Sequence, residues 1–441
     1  MSGRIEAIAL KQPTLTCQLL LGVICVLSGG LANAAVCTVV NTKTADVAAL
    51  DQPVLFNRLG ASNINGMVYS LTRDLVAVNT QGTAVQDQPI NLGFGGDPTD
   101  FVGNVALRPD KRPRPLVLRI AAGDCLQVNF WNLLTILPNP ANVFPPQFNV
   151  FIDEQVAERH AGFHAAGMQL VNSDGDDGTY VGENTTNGMV EPGGFAQYTL
   201  YAEHEGTFVV RDLASTTGSD GNQGNSGNLL FGQIIVEPKG ARIYRGQLTE
   251  EELRLASMVT DPAALDCGTR NLTAQGQPRI NYEATYPAAN CTNGTDLGAL
   301  TWALEGKSGL PILNMTCNAA AATAGACAAN EIVHSEINAL VAGPDADGSW
   351  HSKCPGADCP YPLERIGKRN PTLPNRLEPF RDFASIFHDE PATAQAFRGF
   401  YVEDPVFRYV LAGVKDGFMI NYGSGGIGSE IMKPSLTPAS T

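Results

Sequence analysis

Positive charge is scarce. The 441 residues include 29 Lys and Arg against 44 Asp and Glu, a formal net charge of -15 and a pI near 4.8. So acidic a chain has little with which to neutralise a phosphate backbone, which argues against nucleic-acid partners. Histidine is scarce too, with six residues at positions 160, 164, 204, 334, 351 and 388. None of them adjoins any of the ten cysteines, and no Cys-x-x-Cys pair occurs, so a zinc site of thiolates and imidazoles is poorly supplied. A nucleophile elbow, a phosphate loop and a nicotinamide-type glycine fingerprint are all missing. Gly423-Ser424-Gly425-Gly426 is glycine-rich but lacks the lysine that a phosphate cradle needs. Internal repeats and long low-complexity segments are absent as well.

What is present favours turns and short strands over long helices: 46 glycines, 28 prolines and 44% hydrophobic residues. Residues 1–34 read as a secretory signal peptide, with an uncleaved anchor as the alternative. Arg4 and Lys11 precede the apolar run Leu19 to Leu27, and Ala32-Asn33-Ala34 offers small residues for cleavage. The expected location is therefore periplasmic or extracellular, with no membrane span once the signal is removed. The cysteines beyond that point, at 37, 125, 267, 291, 317, 327, 354 and 359, form an even set, so disulfides are expected. Cys317 with Cys327, Cys354 with Cys359 and Cys267 with Cys291 could close small loops, but spacing does not fix the connectivity.

Strand signals begin early. Residues 66–79 read as strand, and a Gly/Asp/Pro loop follows at 91–100. Leu116, Leu118 and Ile120 alternate with Val117 and Arg119, Gly123-Asp124 marks a turn, and Cys125 to Leu133 returns. Two alternating strands around a Gly-Asp turn predict a β-hairpin. Downstream come Gly162-Phe163-His164-Ala165-Ala166-Gly167, Glu191-Pro192-Gly193-Gly194 with its alternating strand, Glu205-Gly206-Thr207-Phe208-Val209-Val210, and Leu229 to Glu237. Taken in order, these stretches resemble the landmarks of the amino-terminal cupredoxin domain of multicopper oxidases. The resemblance implies a mostly β fold of two cupredoxin-like Greek-key β-sandwich domains, at 35–240 and 263–431. Between them lies a linker, 241–262, with a short helix that Thr249 could cap. Residues 432–441 read as a polar tail. Ile332-Val333-His334-Ser335, Phe387-His388-Asp389-Glu390 and Ile420-Asn421-Tyr422-Gly423 are similar to stretches in the large bacterial multicopper oxidases related to manganese oxidases.

Copper is the cofactor that the resemblance implies. Such an oxidase takes electrons at a type 1 copper held by a cysteine and two histidines. It reduces dioxygen at a trinuclear cluster held by paired His-x-His motifs. The spacing is physical, because alternate residues of a strand share a face and both imidazoles point the same way. Here His164 stands at the first motif, but Ala166 takes the place of its second histidine. At the second motif stand Arg211, Asp212 and Leu213, and arginine is a permanent cation that opposes a metal. His164, His388 and His334 are the candidate metal ligands, each weighed against a structural role. His160 could pair with His164, while His204 and His351 read as exposed. The acidic runs Asp174 to Asp177 and Asp345 to Asp347 suggest calcium-binding oxygens, but read better as solvated turns. No catalytic residue is assigned.

Two functions follow as expectations. One is a non-catalytic cupredoxin protein with degenerate copper sites, serving as partner to further cupredoxin domains or to another oxidase chain. The other is a copper-dependent oxidoreductase that oxidises a metal ion or small reductant with dioxygen.

Overall fold

The computed structural model describes residues 37–55, 62–63, 66–79, 89–90, 92, 98–136, 159–179, 185–214, 224–257, 274, 276, 279–287, 306–342, 379–389 and 418–421. The signal peptide, the polar tail, His351, Asp345 to Asp347, the Gly423 to Gly426 run and the cysteines at 267, 291, 354 and 359 lie outside them.

The protein is mostly β. Its strands are β1 (Thr42–Asp51), β2 (Val54–Leu55), β3 (Ser62–Asn63), β4 (Met67–Leu71), β5 (Leu75–Ala77), β6 (Val105–Leu107), β7 (Leu116–Ala121), β8 (Cys125–Asn132) and β9 (His164–Ala165). They continue as β10 (Gln169–Leu170), β11 (Phe195–Tyr201), β12 (Gly206–Arg211), β13 (Phe231–Glu237), β14 (Arg242–Arg245), β15 (Asn338–Ala342), β16 (Phe380–Phe383), β17 (Ile386–Asp389) and β18 (Phe418–Asn421). The first sheet has the order β10-β11-β8-β1-β4 and the second β7-β13-β12-β9. A three-stranded sheet, β14-β15-β16, and the ribbons β2-β3, β5-β6 and β17-β18 complete the set.

The two large sheets form a sandwich because each presents an apolar inner face at every second residue. Val47, Tyr69, Val128, Phe130, Tyr198 and Leu200 come from the first sheet. Leu118, Ile120, Val210 and Ile234 come from the second. Tyr69, Phe130, Phe163 and Tyr198 pack ring against ring at its centre, with Tyr69 and Phe163 centroids 5.6 Å apart in an edge-on arrangement. The other face of the first sheet is apolar as well, and Ala48, Leu50 and Val68 are covered by Leu75 and Leu107 of the β5-β6 ribbon.

The hairpin expected at Gly123-Asp124 does not form. β7 pairs in parallel with β13, whereas β8 pairs in parallel with β1 and antiparallel with β11. The turn instead carries the chain from one layer of the sandwich to the other. Gly123 supports this with a φ of +91° and with its amide donating to the carbonyl of Ala202. Two alternating strands look alike whether they pair with each other or face each other across a core. Here every residue of β7 is buried, so it needs cover on both faces.

That cover comes from the carboxyl-terminal part of the chain. On the outer face of β7 and β13, Val117 and Ile235 pack on Ile337 and Ala384. Arg119, fully buried, donates to the Glu237 carboxylate at 2.6 Å and to the carbonyl of Ile337 at 3.0 Å, and it also pairs with Asp382. β14 pairs with β15, and Tyr244, Leu255 and Ala256 share a core with Tyr286, Ile312 and Leu313. Thr249 caps the helix Glu250–Ala256 as expected, in a capping box with Glu252. Two disulfides are present among the described residues: the expected Cys317–Cys327, and Cys37–Cys125, which ties the approach to β1 to the start of β8. No described helix is long and apolar enough to cross a membrane.

Candidate functional site

The site is the open end of the second sheet. β13 and β7 are buried on their outer face, but β12 is not: Thr207, Val209 and Arg211 are exposed there. β9 is a short strand added at this edge, with Arg211 opposite His164 and Val210 opposite Ala165. Val210 and Ala165 point into the core, so His164 and Arg211 point outward together. On the far side of β12, Arg211 is opposite Phe231 of β13. The ring of His388, from β17, stacks on Phe231 with centroids 4.8 Å apart and planes at 14°. One row across the sheet therefore reads His164, Arg211, Phe231, with His388 lying over the last.

Backbone anchors hold this edge. Asp212 faces inward, and its carboxylate accepts the amides of Gly162 at 2.6 Å and Ala214 at 3.3 Å. The Tyr69 hydroxyl donates to the Gly162 carbonyl at 2.5 Å, and Asn225 donates from its side chain to the His160 carbonyl at 2.9 Å. Burial pushes the phenols of Tyr69 and Tyr198 well up, and Asp212 adds to the effect. Both stay neutral donors.

The acidic turn is a working part of the edge, which corrects its reading as solvated. Asp176 is buried, and its carboxylate accepts the amides of Val171 at 3.2 Å, Asn172 at 2.5 Å and Thr199 at 2.8 Å. Asp177 accepts from Nδ1 of His164 at 2.8 Å and is itself held by the amide and hydroxyl of Thr179 at 3.2 and 2.9 Å. These oxygens are spent on backbone and side-chain donors. Gly178 lets the turn approach so closely, since a Cβ there would run into the backbone of Phe163.

The other candidates are scattered. His334 is fully buried, with Nε2–H donating to the Pro311 carbonyl at 2.7 Å, and burial holds its pKa well below the usual range. It is a neutral core residue with one ring nitrogen already used. His388 donates from Nε2 to the Ser226 carbonyl at 3.1 Å. His204 is exposed, as read, beside Glu203. His160 lies in irregular backbone ahead of β9, so neither a helix nor a strand repeat aligns it with His164. Among the described residues, no group of three or more His, Cys, Asp or Glu side chains converges as a metal site would require.

Sequence reasoning missed the His164–Asp177 pair, because no spacing rule joins residues 13 apart through a turn. The signal available was Asp177-Gly178-Thr179, an acidic residue followed by a glycine and a hydroxyl.

No family profile and no curated protein sequence matches the chain. Solved structures do. One titled as a multicopper oxidase is 18% identical, with 45% of this chain and 43% of that one covered and a TM-score of 0.24. A multi-copper oxidase from Pseudomonas thermotolerans is 18% identical over 54% and 42%, with a TM-score of 0.23. A copper nitrite reductase from Nitrosomonas europaea is 14% identical over 45% and 42%, also with a TM-score of 0.23. The chain thus spans about two-fifths of the length of the solved structures it matches. The residues around His164 do not fit the trinuclear copper cluster that the sequence resemblance implies. Ala166 offers no donor and Arg211 repels a cation, which leaves His164 as the one imidazole on β9.

Proposed function

We propose that this chain is an exported, multicopper-oxidase-like protein whose copper sites have degenerated, and that it is not an oxidase by itself. One observation carries the reading: Arg211 stands directly opposite His164, with Ala166 two residues further on. The resemblance would place paired imidazoles on these strands. The chain supplies one imidazole and a permanent positive charge. The type 1 centre is equally short of parts, since no histidine adjoins a cysteine anywhere in the sequence. In this reading the chain acts as a binding partner of further cupredoxin domains or of another oxidase chain. Residues 35–240 and 263–431 are its two cupredoxin-like domains, and the likeness to oxidases related to manganese oxidases belongs to the same proposal. The Cys37–Cys125 and Cys317–Cys327 disulfides support an oxidising, exported setting.

The test is metal analysis after stripping with chelator and reloading with copper, together with oxygen uptake on metal-ion and small organic reductants. The expected result is copper well below one equivalent, no intense blue absorption and no uptake above background. Stoichiometric copper with blue colour and oxygen uptake would overturn the reading in favour of a copper-dependent oxidoreductase.

A further inference from the structure

The structure assigns a small-oxyanion site to the outer face of β9 and β12, with Arg211 and Nε2 of His164 as the contacting groups. Directly opposed residues on antiparallel strands carry their Cβ atoms about 5 Å apart on one face. A guanidinium and an imidazole at that spacing can bracket a single hydrogen phosphate, the guanidinium offering its planar fork of donors and Nε2, which carries the lone pair while Nδ1–H is on Asp177, accepting the O–H of the phosphate. Both groups are available. Arg211 is exposed and makes no ion pair among the described residues, in a chain where acidic residues outnumber basic ones 44 to 29. His164 has Nδ1 fixed on Asp177, which leaves Nε2 as its unoccupied ring nitrogen among the described residues. Asp177 is a positioning residue: held by Thr179, it sets the ring orientation. Val209, 52% exposed, is the next outward residue on β12, so no carboxylate of that strand flanks Arg211 on this face.

The inference goes beyond the function proposed above and does not depend on it, because it concerns the metal-free chain. The experiment titrates the full, chelator-treated chain with inorganic phosphate, and in a second arm with acetate, following amide and imidazole 15N shifts. Saturable shifts at His164 and Arg211 are expected. Arg211→Gln should weaken phosphate roughly tenfold and Arg211→Lys about threefold, because lysine keeps the charge and loses the fork. Lys43→Gln, on β1 in the other sheet, should bind as the native chain does. Asp177→Asn should move the His164 ring 15N shifts, which report its tautomer, as well as weaken binding. Phosphate is expected to bind more tightly than acetate, which has no O–H to give Nε2, and acetate binding as tightly as phosphate overturns the part assigned to His164. Absence of saturable shifts in the native chain, or native affinity in both Arg211 variants, overturns the site. Neither result bears on whether copper binds.

Discussion

His164 on β9 and Arg211 on β12 stand directly opposite one another at the open edge of the second sheet. Adjacent strands bring together the two places where the sequence resembles copper motifs. A pair of imidazoles would invite a metal ion, whereas an imidazole beside a guanidinium invites an anion.

Restoring imidazoles should restore metal affinity. The double variant Ala166→His with Arg211→His removes the cation and adds two donors on the His164 face. Copper(II) affinity, measured by chelator competition, is expected to rise at least roughly tenfold over the native chain. Unchanged affinity would mean that this face is not where the resemblance places the ligands.

The buried Arg119 cluster should make stability depend on pH. Glu237 is pushed up to about 7, by burial first and by repulsion from Asp382, against the pull of Arg119. The charged groups in the cluster are Arg119 on β7, Glu237 on β13 and Asp382 on β16, with Glu205 more remote. A carboxyl with a raised folded-state pKa binds protons more tightly folded than unfolded. Its contribution is therefore fully present below the ordinary carboxylate range and is lost as pH rises through about 7. Urea midpoints of the native chain and of Glu237→Gln, compared at pH 5 and pH 8, should differ less for the variant. Equal pH dependence would refute the assignment. Glu252 and Glu336, both held at about 2 against burial by arginines, work the other way and lose their contribution as pH falls towards that value.

The approach to β13 carries a conformational cost that glycine should relieve. Leu229 has a φ of +76° and follows the helical turn Gly224–Gly227, with the Leu230 amide donating to the Asn225 carbonyl. A left-handed residue after a helical turn is usually glycine, and other L-residues pay about 1–2 kcal/mol there. Leu229→Gly is expected to stabilise by about 1 kcal/mol in urea unfolding, since the side chain is only half-buried. A destabilisation of that size would show that packing of Leu229 outweighs its backbone strain.

Much of the sandwich was legible because alternation is a local property. The apolar positions of β7, β8, β11 and β13 stand out in the sequence, and they do form the inner faces. Partner choice was not legible. The Gly123-Asp124 turn looks like a hairpin, yet β7 and β8 belong to different sheets. Nor did residues 241–262 announce that Tyr244 and Leu255 would share a core with Tyr286 and Ile312. At the site, His164 and Arg211 could be named from motif positions, whereas Asp177 could not.

By itself, the sequence determined which residues stand where the resemblance would place copper ligands. These are Ala166 and Arg211, and no histidine adjoins a cysteine. It also determined the β character, because strand periodicity is set residue by residue. Only the tertiary structure decided that β9 lies against β12, that Asp177 turns back onto His164, and that the outer face of β7 and β13 is covered while that of β12 stays open. The reason is physical: those outcomes depend on which distant strands share hydrogen bonds and on how closely Gly178 lets two backbones approach, and neither is a property of any local stretch of chain.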